Sequence, residues 1–197
     1  ISWLAEVNAP NVTKFYEYEF ADCTNLAKVY SGDGVEYICD YAFSKCTALT
    51  GFNFNEGLKE INQYAFYKTS VIKADFPSTL EWIGEYAFYG DDLLQTLNLN
   101  EGLEYISPYA FSYCNGLKTV DLSSTIEQID TYAFANSTSL NTVTGGEGVT
   151  SIESNAFYST KSLAEYPFSD KITYVASQAF KGSGLTNLVI PDSEYDV

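Results

Sequence analysis

The groups that could do chemistry in this 197-residue sequence are carboxylates, phenols and four thiols, because histidine is absent altogether. Without imidazole neither a Ser-His-Asp nor a Cys-His arrangement can form, and the commonest acid-base group near neutral pH is missing. No Gly-x-Gly-x-x-Gly or Walker loop is present to cradle a phosphate. The 26 acidic residues leave a carboxylate pair open, since some of so many must lie close together, but they do not mark which. No enzymatic role and no cofactor is expected. Against those 26 acids stand 10 basic residues, a formal charge of -16. That field repels phosphate backbones and anionic headgroups, so nucleic acid is not an expected partner. No apolar run approaches the roughly 20 residues of a spanning helix, and no direct membrane insertion of this segment is expected. The sequence begins Ile1-Ser2-Trp3-Leu4, without an initiator Met or a basic-then-apolar leader, so any signal is expected to be cleaved or to lie outside it.

What positions these groups is a repeat. Phe20, Phe43, Phe66, Phe88, Phe111, Phe134, Phe157 and Phe180 are separated by gaps of 23, 23, 22, 23, 23, 23 and 23, and all but Phe20 follow Ala. Five residues before the Phe stand Phe15, Ile38, Ile61, Ile83, Ile106, Ile129, Ile152 and Val175. Eight before it, from Val12 and Val35 to Ile172, every residue is Val, Leu or Ile. Six after it comes Leu26, Leu49, Leu94, Leu117, Leu140 or Leu163, opening stretches such as Leu117 to Leu122, where Val120 and Leu122 alternate with Asp121. Period-two alternation marks a half-buried strand. After Phe66 the strand arrives one residue early, as Val71-Ile72-Lys73-Ala74-Asp75-Phe76, and Leu185 to Pro191 shares that shortened form.

One such unit cannot cover its own apolar face, whereas stacked copies bury a continuous column. The expectation is a single repeat solenoid over residues 1–197 of about eight coils, with a degenerate first coil over about 1–25 and a last over about 172–197. Each coil has one parallel strand plus short 3₁₀ or irregular turns. Parallel strands about 4.8 Å apart make the stack roughly 40 Å long. Gly or Pro/Ser/Thr groups, as in Glu101-Gly102 and Ser123-Ser124-Thr125, turn the chain between strands.

The coil from Leu103 to Leu122, with Ile106, Ala110-Phe111, Cys114, Leu117 and an apolar strand, resembles the BspA-like type of leucine-rich repeat. The resemblance runs over nearly the whole chain. Where that family favours Cys after Ala-Phe, this sequence has Cys23, Cys46 and Cys114 but Thr69, Asp91, Ser137 and Thr160 elsewhere. The resemblance implies a leucine-rich repeat fold and an extracellular or cell-surface protein, commonly bacterial and adhesin-like, that binds other proteins or cell surfaces. It supplies no catalytic site and does not identify the partner.

On that fold the variable strand positions form an exposed sheet face: Thr50, Gly51 and Asn53; Lys73 and Asp75; Gln95, Thr96 and Asn98; Lys118, Thr119 and Asp121; Asn141, Thr142 and Thr144. They are the candidate protein-binding residues, and a merely solvated sheet surface reads the same pattern. Tyr18, Tyr41, Tyr64, Tyr86, Tyr109 and Tyr132 stand two before their anchors, and Tyr37, Trp82, Tyr105 and Tyr174 six before. Such columns suit either a grip on protein or sugar or ladders that stiffen the stack, and their strict periodicity favours the ladder. Glu36, Glu81, Glu104 and Glu127 also align, with Lys59 interrupting. An oxygen-rich column admits a carbohydrate- or Ca²⁺-dependent binder as an alternative, although no EF-hand pattern is present and no metal site is expected. A structural spacer in a larger surface protein is the other alternative. Of the thiols, only Cys23 and Cys46 fall on adjacent rungs where a disulfide could form, and small buried thiols are the simpler reading.

Overall fold

The computed structural model describes residues 3–189, so the Ile190-Pro191 end of the expected closing strand lies outside the described residues. Among those residues there is no helix, and every strand pairing is parallel. One column of strands corresponds to the apolar stretches read from the sequence: β1 (Glu6–Ala9) pairs with β3 (Lys28–Ser31), and β6 (Lys73–Asp75), β8 (Thr96–Asn98), β10 (Thr119–Leu122) and β12 (Thr142–Gly145) form a second block. The coils, including those that lack the longer strand, have strands of two residues at the Ile position. These are β2 (Lys14–Phe15), β4 (Tyr37–Ile38), β5 (Glu60–Ile61) and β7 (Trp82–Ile83) in one sheet, then β9 (Tyr105–Ile106), β11 (Gln128–Ile129), β13 (Ser151–Ile152) and β14 (Tyr174–Val175) in another. Too short for period-two alternation to show, these strands carry no signature of their own in the sequence.

The register stacks each residue on its homologue one repeat away, as in Val120 on Val143 and Ile106 on Ile129. Across the short coil Ile61 meets Ile83, which absorbs the missing residue without breaking the Ile column. Ile38, Ile61, Ile106, Ile129 and Ile152 are buried, and so is every anchor from Phe43 to Phe157. Phe20 and Phe180 are only partly covered, because among the described residues each stacks on one anchor ring instead of two. A fully buried Phe contributes roughly 1.5–3 kcal/mol of apolar transfer, which makes the anchor column a principal stabiliser.

The turn around each anchor explains why no helix forms. The amides of Tyr41, Phe43 and Lys45 donate to the carbonyls of Gln63, Ala65 and Tyr67 in the next coil, at 2.9, 2.8 and 2.7 Å. The intervening amides of Ala42, Ser44 and Cys46 bend back three residues, to Cys39, Tyr41 and Phe43. A helix would need all of them on its own coil. Aiming alternate amides outward requires positive φ two residues before and two after the Phe, as at Tyr41 (58°) and Lys45 (59°), and the pair recurs at all eight anchors. Eight such turns bound seven full coils. Left-handed φ costs a non-glycine residue about 1–2 kcal/mol, so each coil carries that strain against two or three inter-coil hydrogen bonds.

Candidate functional site

The tyrosines two before the anchors sit at the first strained position. Their rings stack in one column from Tyr18 through Tyr41, Tyr64, Tyr86 and Tyr109 to Tyr132, with centroids 4.6–4.8 Å apart and planes within 9°. Stacked rings contribute about 0.5–1.5 kcal/mol beyond burial, which offsets the left-handed backbone beneath them. The column has the stacked geometry of a ladder. Burial first, then neighbouring phenols, raises the Tyr41, Tyr64, Tyr86 and Tyr109 hydroxyls above their ordinary value, with nearby acids adding to the first three. A raised phenol pKa leaves stability complete below the unfolded value, about pH 10, and removes it as pH rises through the folded value. Alkaline unfolding monitored by circular dichroism is expected to begin above about pH 10 and to move upward in a Tyr64→Phe/Tyr86→Phe double variant.

The position three after the anchor closes the core. Cys46 and Cys114 donate S–H to the carbonyls of Phe20 and Phe88, both at 3.1 Å, and Ser137 donates O–H to that of Phe111 at 2.9 Å. A small donor is needed there because the anchor carbonyl faces inward, away from water. Cys23 and Cys46 are both buried free thiols, so the adjacent-rung pair is not a disulfide. Burial, and secondarily the neighbouring Cys23, pushes the Cys46 thiol up to about 12. Labelling of the native protein with a thiol reagent at pH 8 is expected to modify Cys39 first, since it alone is half-exposed, and to reach Cys23, Cys46 and Cys114 only on unfolding.

The acidic column is relieved where the sequence interrupted it: Lys59 Nζ lies 2.8 Å from Glu36 Oε2, and this contact holds the ammonium pKa above its usual value. Among the described residues no three His, Cys, Asp or Glu side chains gather as a metal site.

The strand-face residues come together as three rows. Lys73, Thr96, Thr119 and Thr142 are in register, as are Asp75, Asn98, Asp121 and Thr144. Gln95, Lys118 and Asn141 follow one another through backbone bonds of 2.9 and 3.0 Å. Thr96 and Thr119 are half-buried and the others exposed. Several polar groups pair with one another: Lys73 with Asp75, Asn98 with Asp75 at 2.6 Å and Thr144 with Asp121 at 2.6 Å. Thr50 and Asn53 belong to a coil that alternates buried and exposed residues but forms no strand between β3 and β6, although the Ile72 amide reaches the Thr50 carbonyl at 3.1 Å. Phe52 and Phe54 turn inward there onto Phe43, Phe66 and Phe76.

This opening leaves a surface depression of about 280 Å³ between Thr50, Asn53, Lys73 and Asp75. Ile72, 41% exposed, lines it and was not among the sequence candidates. Its signal was the short gap: with one residue deleted, Val71 takes the buried slot that Leu fills elsewhere, and the next side chain is left outside.

A family model for the BspA type leucine rich repeat region, six copies long, matches residues 13–141 and again 83–197. The chain belongs to the BspA type leucine rich repeat family. Solved members of the wider leucine-rich repeat group share its fold. A leucine-rich repeat protein of Bacteroides ovatus superposes with a TM-score of 0.82 at 24% identity, over 89% of this chain and 46% of that one. One from Eubacterium ventriosum gives 0.65 at 26%, over 94% and 44%. The T. pallidum leucine rich repeat protein gives 0.72 at 24%, over 78% and 75%. The chain thus spans less than half the length of the first two. No curated protein matches the sequence.

Proposed function

We propose that this chain is a non-enzymatic interaction module of a secreted or cell-surface protein, adhesin-like, that binds host or microbial proteins through the strand face. The residues that carry the reading are those of the open coil: an exposed Ile72 among Thr50, Asn53, Lys73 and Asp75, beside three polar rows running over β8, β10 and β12. An apolar centre with a polar rim is the arrangement by which protein partners are gripped. The net charge of -16 favours partners with basic surfaces. Residues 1–197 act as one solenoid in this reading. The mutual pairing of Asp75 with Asn98 and of Asp121 with Thr144 favours a second reading, a structural spacer whose face is satisfied by itself.

Surface-plasmon resonance of the folded chain against a panel of extracellular-matrix and cell-surface proteins separates the two. Saturable binding to at least one protein is expected, weakened at least tenfold by Ile72→Lys combined with Lys118→Glu at unchanged melting temperature. Silence across the panel, or binding indifferent to that variant, sinks the interaction reading and leaves the spacer.

A further inference from the structure

A second concavity lies away from the strand face, among the turns that follow the anchors. At the second left-handed position of those turns the chain places Asp22, Lys45, Lys68, Tyr113, Asn136 and Ser159, all with side chains. Gly90 (φ 74°) and, in the last turn, Gly182 (φ 72°) have none, so at Gly90 one side chain is missing between Lys68 and Tyr113. The gap is part of a cleft of about 590 Å³, within the range of small-molecule sites.

Its walls differ in chemistry. On one side Tyr89 and Tyr113 stand 5.2 Å apart at 45°, and Tyr113 is 44% exposed. On the other, Asn115 donates to Asp92 Oδ1 at 2.8 Å and accepts from Thr138 Oγ1 at 3.3 Å, and an amide and a carboxylate held in this way have further hydrogen-bonding capacity. Lys68 forms the third wall, its Nζ held 5.2 Å from the Tyr67 ring centroid. One cation and one carboxylate balance locally, while the charge of -16 disfavours an anion.

We propose that the cleft over Gly90 binds a short neutral glycan of two or three sugar rings. A pyranose presents an apolar C–H face and a hydroxylated edge. The first suits Tyr113, and the second suits the Asp92–Asn115 pair. Nothing in the binding reading above involves these residues, so the two stand or fall separately.

The test is saturation-transfer NMR of the intact chain with cellotriose, maltotriose and N,N′-diacetylchitobiose, and with 3′-sialyllactose as the anionic control. Transfer from at least one neutral sugar is expected, with a Kd of about 1 mM or tighter. Gly90→Asn should abolish it. Asn136 holds the same backbone conformation, and a Cβ at Gly90 would meet the Lys68 side chain at 3.1 Å, so the variant is expected to fold with a melting temperature lowered by only a few degrees. Tyr113→Ala, which empties no core position, should weaken binding at least tenfold. Absence of transfer from all three neutral sugars overturns the proposal. So does transfer that survives both variants, or equal transfer from sialyllactose.

Discussion

Replacing Asp91 with Asn is expected to raise stability at pH 7–8 by about 1–3 kcal/mol, the scale of an unsatisfied buried polar group. For a chain of this size that is a rise in melting temperature of roughly 2–4 °C per kcal/mol. Asp91 occupies the column where Cys46, Cys114 and Ser137 donate to anchor carbonyls. It is wholly buried, accepts from Thr69 Oγ1 at 2.7 Å through Oδ1, and has no partner for Oδ2 among the described residues. Burial drives its carboxyl well above the usual carboxylate range, more than the Thr69 bond lowers it.

Because the folded pKa is raised, Asp91's contribution is complete below the unfolded value, about pH 3.9. It is lost as pH rises through the folded value, so neutral pH is on the costly side. Asparagine has the shape of the protonated acid, can still accept from Thr69, and offers N–H where the other coils offer S–H or O–H. The measurement is the difference in urea-unfolding free energy between D91N and the parent chain from pH 3.5 to 8. A difference near zero at the acid end that grows with pH is expected. A difference independent of pH would show that Asp91 does not titrate against the fold.

Phe111→Ala is expected to cost about 3–5 kcal/mol, the usual penalty for emptying a fully buried aromatic site. Phe111 is buried between Phe88 and Phe134, whose centroids lie 5.4 and 5.6 Å away. The surrounding backbone cannot collapse into the hole. The Phe88 and Phe111 amides donate to the Ala110 and Ala133 carbonyls, both at 2.9 Å, which holds the coils at a set spacing. In a solenoid each coil is stabilised by its neighbours alone, so a hole in the middle also weakens the coupling between the two halves. Urea unfolding should therefore show a lowered midpoint and a shallower slope, with N-terminal and C-terminal halves losing hydrogen-exchange protection separately. Phe180→Ala, at the partly covered end, should cost clearly less. Equal costs at the two sites would mean that the anchor column is not the cooperative spine.

The periodic residues made the architecture legible before any coordinates. Side chains that recur every 23 positions meet their own copies when coils stack, so Phe43 to Phe157, the Ile column and the Leu positions could be assigned inward from spacing alone. The two-residue strands escaped that reading, as did the left-handed turns. Tyr41 and Lys45 belong to residue types that give no cue to positive φ, and only the hydrogen bonds to the next coil account for it.

The solenoid, its register, its buried columns and the family were all legible in the residues alone. Each follows from apolar periodicity, a property of one repeat copied along the chain. Where the copies differ, the packing of neighbouring coils set the outcome. It left Cys23 and Cys46 as free thiols, placed the Asp91 carboxyl in the core, turned Ile72 outward and opened the space over Gly90. An irregular residue's environment is set by the coils above and below it, some 23 residues away in sequence, and no local pattern carries that information.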